Sequence, residues 1–123
     1  MTVAFWCILA AGLLPYAATL TAKLGAPYDN RDPRGWLARQ TGWRARANAA
    51  QHNGFEAFPL FAAGVIVAHL AGAAQATVDV LALVFVMARI AHFGAYVANL
   101  AALRSLLWLV GIGSVVGLFV AAA

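Results

Sequence analysis

Charge is the scarcest commodity in this chain. Of 123 residues only 10% are Asp, Glu, Lys or Arg, while 64% are hydrophobic. About 25% charged and 45–50% apolar is usual for a soluble domain. With a mean hydropathy of +0.83 there is too little polar material to coat a globule of this size. A soluble fold is excluded, and a lipid-embedded one takes its place. One cysteine, Cys7, permits no intrachain disulfide and reads as a small apolar side chain. No Lys or Arg precedes Phe5, so the first apolar run lacks the charged leader of a cleaved signal peptide and reads as a retained helix. The alternation that β-spans require is also missing.

The charges that exist are concentrated. Of the eight basic residues, six (Lys23, Arg31, Arg34, Arg39, Arg44 and Arg46) fall in one stretch with Asp29 and Asp32. A single charged loop between two apolar runs does not make a phosphate-binding face, which argues against nucleic acid. It marks membrane topology instead. Four apolar segments, at about 1–22, 44–71, 77–98 and 103–123, each have the roughly 17–25 residues a spanning helix needs. The expected fold is therefore an all-α integral membrane bundle of four transmembrane helices in up-down order, forming a single domain. Between the first two spans, Gly25, Pro27, Asn30, Pro33 and Gly35 punctuate a loop over 24–43. Its basic residues place that loop in the cytoplasm and both termini outside, as in a multi-pass protein of a bacterial inner membrane.

Two charges lie deep within the spans. At 1.5 Å per residue, Glu56 stands about 15 Å beyond Arg46, and Arg89 about 15 Å from Asn99 on the next, antiparallel helix. Similar depths and opposite signs predict that Glu56 and Arg89 pair, either to orient the helices or as part of a site. Arg89, His92 and Tyr96 share a helical stripe, Asn53 and Glu56 share a face, and His52 borders it. Arg104 and Ser105, expected to open the fourth helix, come near the level of Tyr96. These residues predict a polar pocket in the loop-side half of an apolar bundle. Lys23, Arg46 and Arg104 suit the carboxylates of an anionic ligand. A guanidinium or hydroxyl aimed at a thiol would favour its thiolate. No metal site is expected, because His52, His69 and His92 stand on different levels or faces.

Simpler roles exist for several of these groups. Arg104 and Ser105 would serve as a snorkelling side chain and a helix-start cap, and Asp79 would complement the dipole of its own helix. Gly113 and Gly117, like Gly64 and Ala68, form small-residue pairs that admit close helix approach within or between subunits.

The stretches Arg46 to Phe61 (RANAAQHNGFEAFPLF), Arg89 to Tyr96 (RIAHFGAY) and Arg104-Ser105 resemble the MAPEG family, the membrane-associated proteins of eicosanoid and glutathione metabolism. The resemblance implies a homotrimer of four-helix subunits with glutathione bound between neighbours near the cytoplasmic face. Asn53, Glu56, His92, Tyr96 and Arg104 would contact it, with Ser105 or Arg104 nearest the thiol and Tyr96 the other candidate for that role. The implied activity is that of a glutathione-dependent transferase or peroxidase, attacking a lipophilic electrophile or hydroperoxide drawn from the lipid. The chain departs from the prostaglandin-synthase-like branch at two places, carrying His52 and Ala49 where that branch has arginines. A neutral His is the weaker carboxylate clamp, which leaves a non-catalytic structural or lipid-binding protein as the second reading. The third is a small proton-coupled multidrug transporter built on Glu56, disfavoured by the basic groups around it.

Overall fold

The computed structural model describes all of residues 1–123 and contains five helices: α1 (Val3–Lys23), α2 (Pro33–Ala38), α3 (Gly42–Leu70), α4 (Gln75–Val97) and α5 (Ala101–Ala121). All but α2 are long and apolar enough to cross a membrane, and each begins and ends within about two residues of the expected span. The 29-residue α3 is the longest and least apolar, with a mean hydropathy of 1.3 against 1.8–1.9 for the others. At about 43 Å it outruns the hydrocarbon, so its polar first turns stand clear of the apolar layer.

Successive spans run antiparallel, and contacts at both ends fix the order. At the end that carries the two termini, the Ala4 amide donates to Asp79 Oδ1 (2.8 Å) and Phe5 packs edge-on against His69. At the other, loop end, Arg44 Nη2 donates to the Leu24 carbonyl (2.8 Å) and Arg46 Nε to the Val97 carbonyl (3.0 Å). Both tight turns are built alike. Gly72 (φ 75°) and Asn99 (φ 61°) take the left-handed conformation just beyond α3 and α4. The amide after each returns to a carbonyl of the last helical turn, Ala73 to Ala68 and Leu100 to Ala95, so orphan carbonyls are satisfied.

The loop over 24–43 is not wholly irregular. Pro33, taken as a breaker in the sequence, instead starts α2, with Asp32 as its N-cap accepting from the Gly35 amide (3.0 Å). Proline is suited to the first helical position, where its missing N–H would have no partner anyway. Trp36 and Leu37 then bury against Ala22 and Ala47, tying α2 to the bundle.

Most of the core lies in the terminal half, where Ala4, Cys7, Ala11, Phe61, Val65, Ala68, Val78, Ala82, Phe85, Val115 and Leu118 form one buried cluster. Small residues set its helix spacing. A Cβ on Gly54 would stand 2.8 Å from Pro15 Cγ, and one on Gly64 would meet Phe119 and Leu118 at 3.3–3.4 Å. The Gly64–Ala68 pair therefore works inside the protomer. Gly113 has nothing within 4 Å and leaves an open face.

Candidate functional site

The loop half of the bundle is built from different material. Arg89 and His92 on α4 are almost fully buried, 5% and 2% exposed, and Asn53 faces them from α3. Arg89 Nη2 donates to Asn53 Oδ1 at 2.7 Å. The expected Glu56–Arg89 ion pair does not form, since the one salt bridge in the chain joins Arg39 to Asp32. The depth estimate holds, because both residues line one cavity. Arg89, however, spends its bond on the residue almost a turn nearer the loop end, and Glu56 stays exposed. A buried guanidinium with a neutral partner keeps its charge uncompensated and is poised for an anion.

Arg104 and Ser105 also shift role. Helix α5 opens at Ala101 with Leu100 as its cap residue, so Ser105 lies in the second turn and caps nothing. Arg104 lays its guanidinium over the Tyr96 ring, 4.5 Å from its centroid, and Tyr96 in turn meets the His92 ring edge-on at 5.5 Å. A guanidinium held by the ring face keeps its N–H edge free for an anionic ligand. His92 Nδ1 is buried without a hydrogen-bond partner.

Three cavities join these groups in series. A cavity of about 350 Å³ between α3, α4 and α5 is lined by Asn53, His92, Tyr96, Arg104, Ser105 and Trp108. On one side Asn53 and Tyr96 continue into a polar trough along α3, with Asn48, His52 and Glu56. Toward the membrane centre, Asn53 and Trp108 continue into an apolar cavity of about 190 Å³. It is walled by Leu60, Phe85, Ile112 and Val115, with Glu56 and Arg89 at its polar edge. A polar subsite therefore adjoins an apolar one, the layout of a site for a water-soluble and a lipid-soluble molecule together.

Eight of the ten candidate residues from the sequence come together here: His52, Asn53, Glu56, Arg89, His92, Tyr96, Arg104 and Ser105. Lys23 and Arg46 do not. Lys23 Nζ lies over the Tyr28 ring at 4.2 Å, and Arg46 is bonded at the C-terminus of α4. Trp108 and Phe85, which the sequence reading passed over, line the site. Their signal was available, because each is four residues from a charged candidate, Arg104 and Arg89, and so on the same helical face.

Fold and site together define a polytopic helical membrane protein with a polar, cation-rich recess opening beside an apolar one. The model of the MAPEG family matches residues 3–123, nearly the whole chain, and the chain belongs to that family. Nothing among curated proteins or solved structures matches it.

Proposed function

We propose that this protein is a glutathione-dependent membrane enzyme, a transferase or peroxidase that activates the thiol for attack on a lipophilic electrophile or hydroperoxide. The observation that carries the reading is the continuity of the Arg104–Ser105–Tyr96 recess with the apolar cavity under Trp108. Arg104, fixed on the Tyr96 ring, stabilises the thiolate and Ser105 donates a hydrogen bond to the sulfur. In conjugation the sulfur lone pair forms the S–C bond, and the thiol proton ends on the leaving group or on the saturated product. In peroxide reduction it attacks the distal peroxide oxygen, the O–O bond breaks and the alkoxide takes the proton. A second glutathione then reduces the sulfenic acid to the disulfide. Asn53, Glu56, Arg89 and His92 hold the tripeptide, with His52 beside them.

The assembly proposed with this activity is a homotrimer. Glu56, His52 and Ser105 are exposed on one protomer, and polar side chains at such depth need cover from a neighbour rather than lipid. Lys23 and Arg46 would reach ligand carboxylates only across that boundary. The six basic residues around α2 support a cytoplasmic loop and outward termini in a bacterial inner membrane.

His52, in the position where the resemblance leads one to expect an arginine, favours a second reading, a non-catalytic lipid-binding member on the same scaffold. The transporter reading gains an unpaired Glu56 but shares its cavity with Arg89, which repels a cationic drug. Glutathione binding to the detergent-purified protein, followed by calorimetry and by near-ultraviolet absorbance of the thiolate, decides between them. Saturable binding with a thiolate signal that Arg104→Ala loses is expected. No binding at millimolar glutathione would leave the non-catalytic reading.

A further inference from the structure

The charge of this chain is local. Between Lys23 and Arg46 stand six basic and two acidic residues, a surplus of four that equals the net charge of the whole protein. The six divide by what they touch. Lys23 lies over the Tyr28 ring, and Arg44 and Arg46 bond the Leu24 and Val97 carbonyls, so three are held by the bundle. Arg31, Arg34 and Arg39, on α2 and the residues flanking it, are exposed. Both acids are committed to backbone. Asp29 accepts from the Arg31 amide at 2.9 Å, and Asp32 caps α2 through the Gly35 amide. The one guanidinium contact, Arg39 to Asp32 at 3.5 Å, joins largely exposed side chains and is worth little.

Helix α2 is pinned where the spans leave the hydrocarbon. Trp36 and Leu37, 8% and 7% exposed, pack on Ala22 and Ala47, with Phe93 and Val97 against them. Those partners belong to the ends of α1 and α4 and the second turn of α3. Trp36 Nε1 also donates to the Pro27 carbonyl at 2.9 Å. Trp43, half-buried, carries the Arg44 guanidinium 4.5 Å from its ring centroid, and tryptophan is a residue type that settles at the headgroup level. The apolar side of α2 is thus fixed to the bundle at the membrane surface, and its arginines are left free. We infer that α2 and its flanks form a docking surface for the anionic phospholipids of the leaflet on the loop side, with Arg31, Arg34 and Arg39 pairing with their phosphates. Guanidinium forks match phosphate oxygens bidentately, and an anionic leaflet attracts basic segments held within a Debye length of it. None of the three lines the recess of Arg104 and Tyr96, so the lipid surface does not depend on glutathione binding.

The test is native mass spectrometry of the protein in dodecyl maltoside micelles with equimolar phosphatidylglycerol and phosphatidylcholine. Each basic side chain at the surface adds about fivefold toward an anionic lipid, so the wild type should prefer phosphatidylglycerol by roughly a hundredfold. The double substitution Arg31→Gln, Arg39→Gln should cut that preference to about fivefold. Arg34 stays in this variant because it also borders a cavity shared with Glu56, so the loss reports on the lipid surface alone. Arg31→Lys with Arg39→Lys should keep most of the preference, since a point charge still attracts the phosphate. Both side chains are exposed, so an unchanged melting temperature is expected for either pair. Excess inorganic phosphate should leave the bound lipid in place; if it clears the lipid, the surface is one for soluble phosphate and the lipid assignment is wrong. A wild type without preference, or a glutamine pair that keeps it, would overturn the assignment as well.

Discussion

In the terminal half of the bundle Phe61 lies flat on Phe85, ring centroids 3.9 Å apart and planes 7° from parallel, with Val65, Val78, Val115 and Leu118 closed around them. One to three turns along the same helices toward the loop end, the side chains facing inward are Asn53, Arg89 and His92, and three linked cavities replace the packing. Between helices in lipid there is little hydrophobic driving force, so association depends on close contact and on hydrogen bonds. The terminal half uses the first and the loop half the second. A bundle that gives up packing in one half needs the other to hold it together, which is why the small residues Gly54 and Gly64 press α3 so closely against α1 and α5.

The sharpest way to break this contrast is Phe61→Ala. It removes a fully buried ring and leaves α3, α4 and α5 around a void, at a cost of about 3–5 kcal/mol. Thermal unfolding in micelles should show the loss. Trp108→Ala, in the loop half and 44% exposed, should cost far less stability while enlarging the apolar subsite. Equal losses from the two would mean that packing is shared evenly along the bundle.

Substitutions at Asn53 sharpen the comparison further, because they should separate stability from function. Asn53→Ala strips Arg89 of its one hydrogen-bond partner and should destabilise by about 1–3 kcal/mol. Asn53→Asp places a carboxylate where the amide oxygen now stands, 2.7 Å from the guanidinium. It should raise the melting temperature and weaken anion binding, because a neutralised Arg89 no longer attracts one. A gain in stability with unchanged glutathione affinity would show that Arg89 faces no ligand.

The architecture was legible from the sequence because span length and charge scarcity are one-dimensional quantities. Gly72 and Asn99 ended their helices as their types suggest, and the polar stripe of α4 followed from the 3.6 period alone. What the sequence could not supply was partner choice. Depth along a helix put Glu56 level with Arg89, but a side chain as long as arginine reaches up or down by a turn, and it found Asn53. Helix α2 was hidden because Pro33 ends helices in some contexts and begins them in others, and the deciding feature, the Asp32 cap, is read only together with the buried Trp36 and Leu37. Asp79 was credited to its own helix, where it accepts from Gln75 Nε2, and it serves a neighbouring helix as well.

That second role exposes one device used at both ends of the molecule. Asp79 accepts from the Ala4 amide in the first turn of α1, a carboxylate on a helix N-terminus. Arg46 donates to Val97 at the end of α4, and Arg44 to Leu24 just past the end of α1, cations on helix C-termini. Each charge satisfies an orphan backbone group and complements the macrodipole of a neighbouring helix. Asp79→Ala and Arg46→Ala should therefore each cost about 1 kcal/mol. The two effects should add, since the sites lie at opposite ends of the bundle. Amide hydrogen exchange distinguishes the ends: Asp79→Ala should raise exchange in the first turn of α1, and Arg46→Ala should loosen the last turn of α4. If Arg46→Ala left α4 exchange untouched but weakened glutathione binding, its ligand role would outweigh its capping one, and the stitching at the loop end would rest on Arg44.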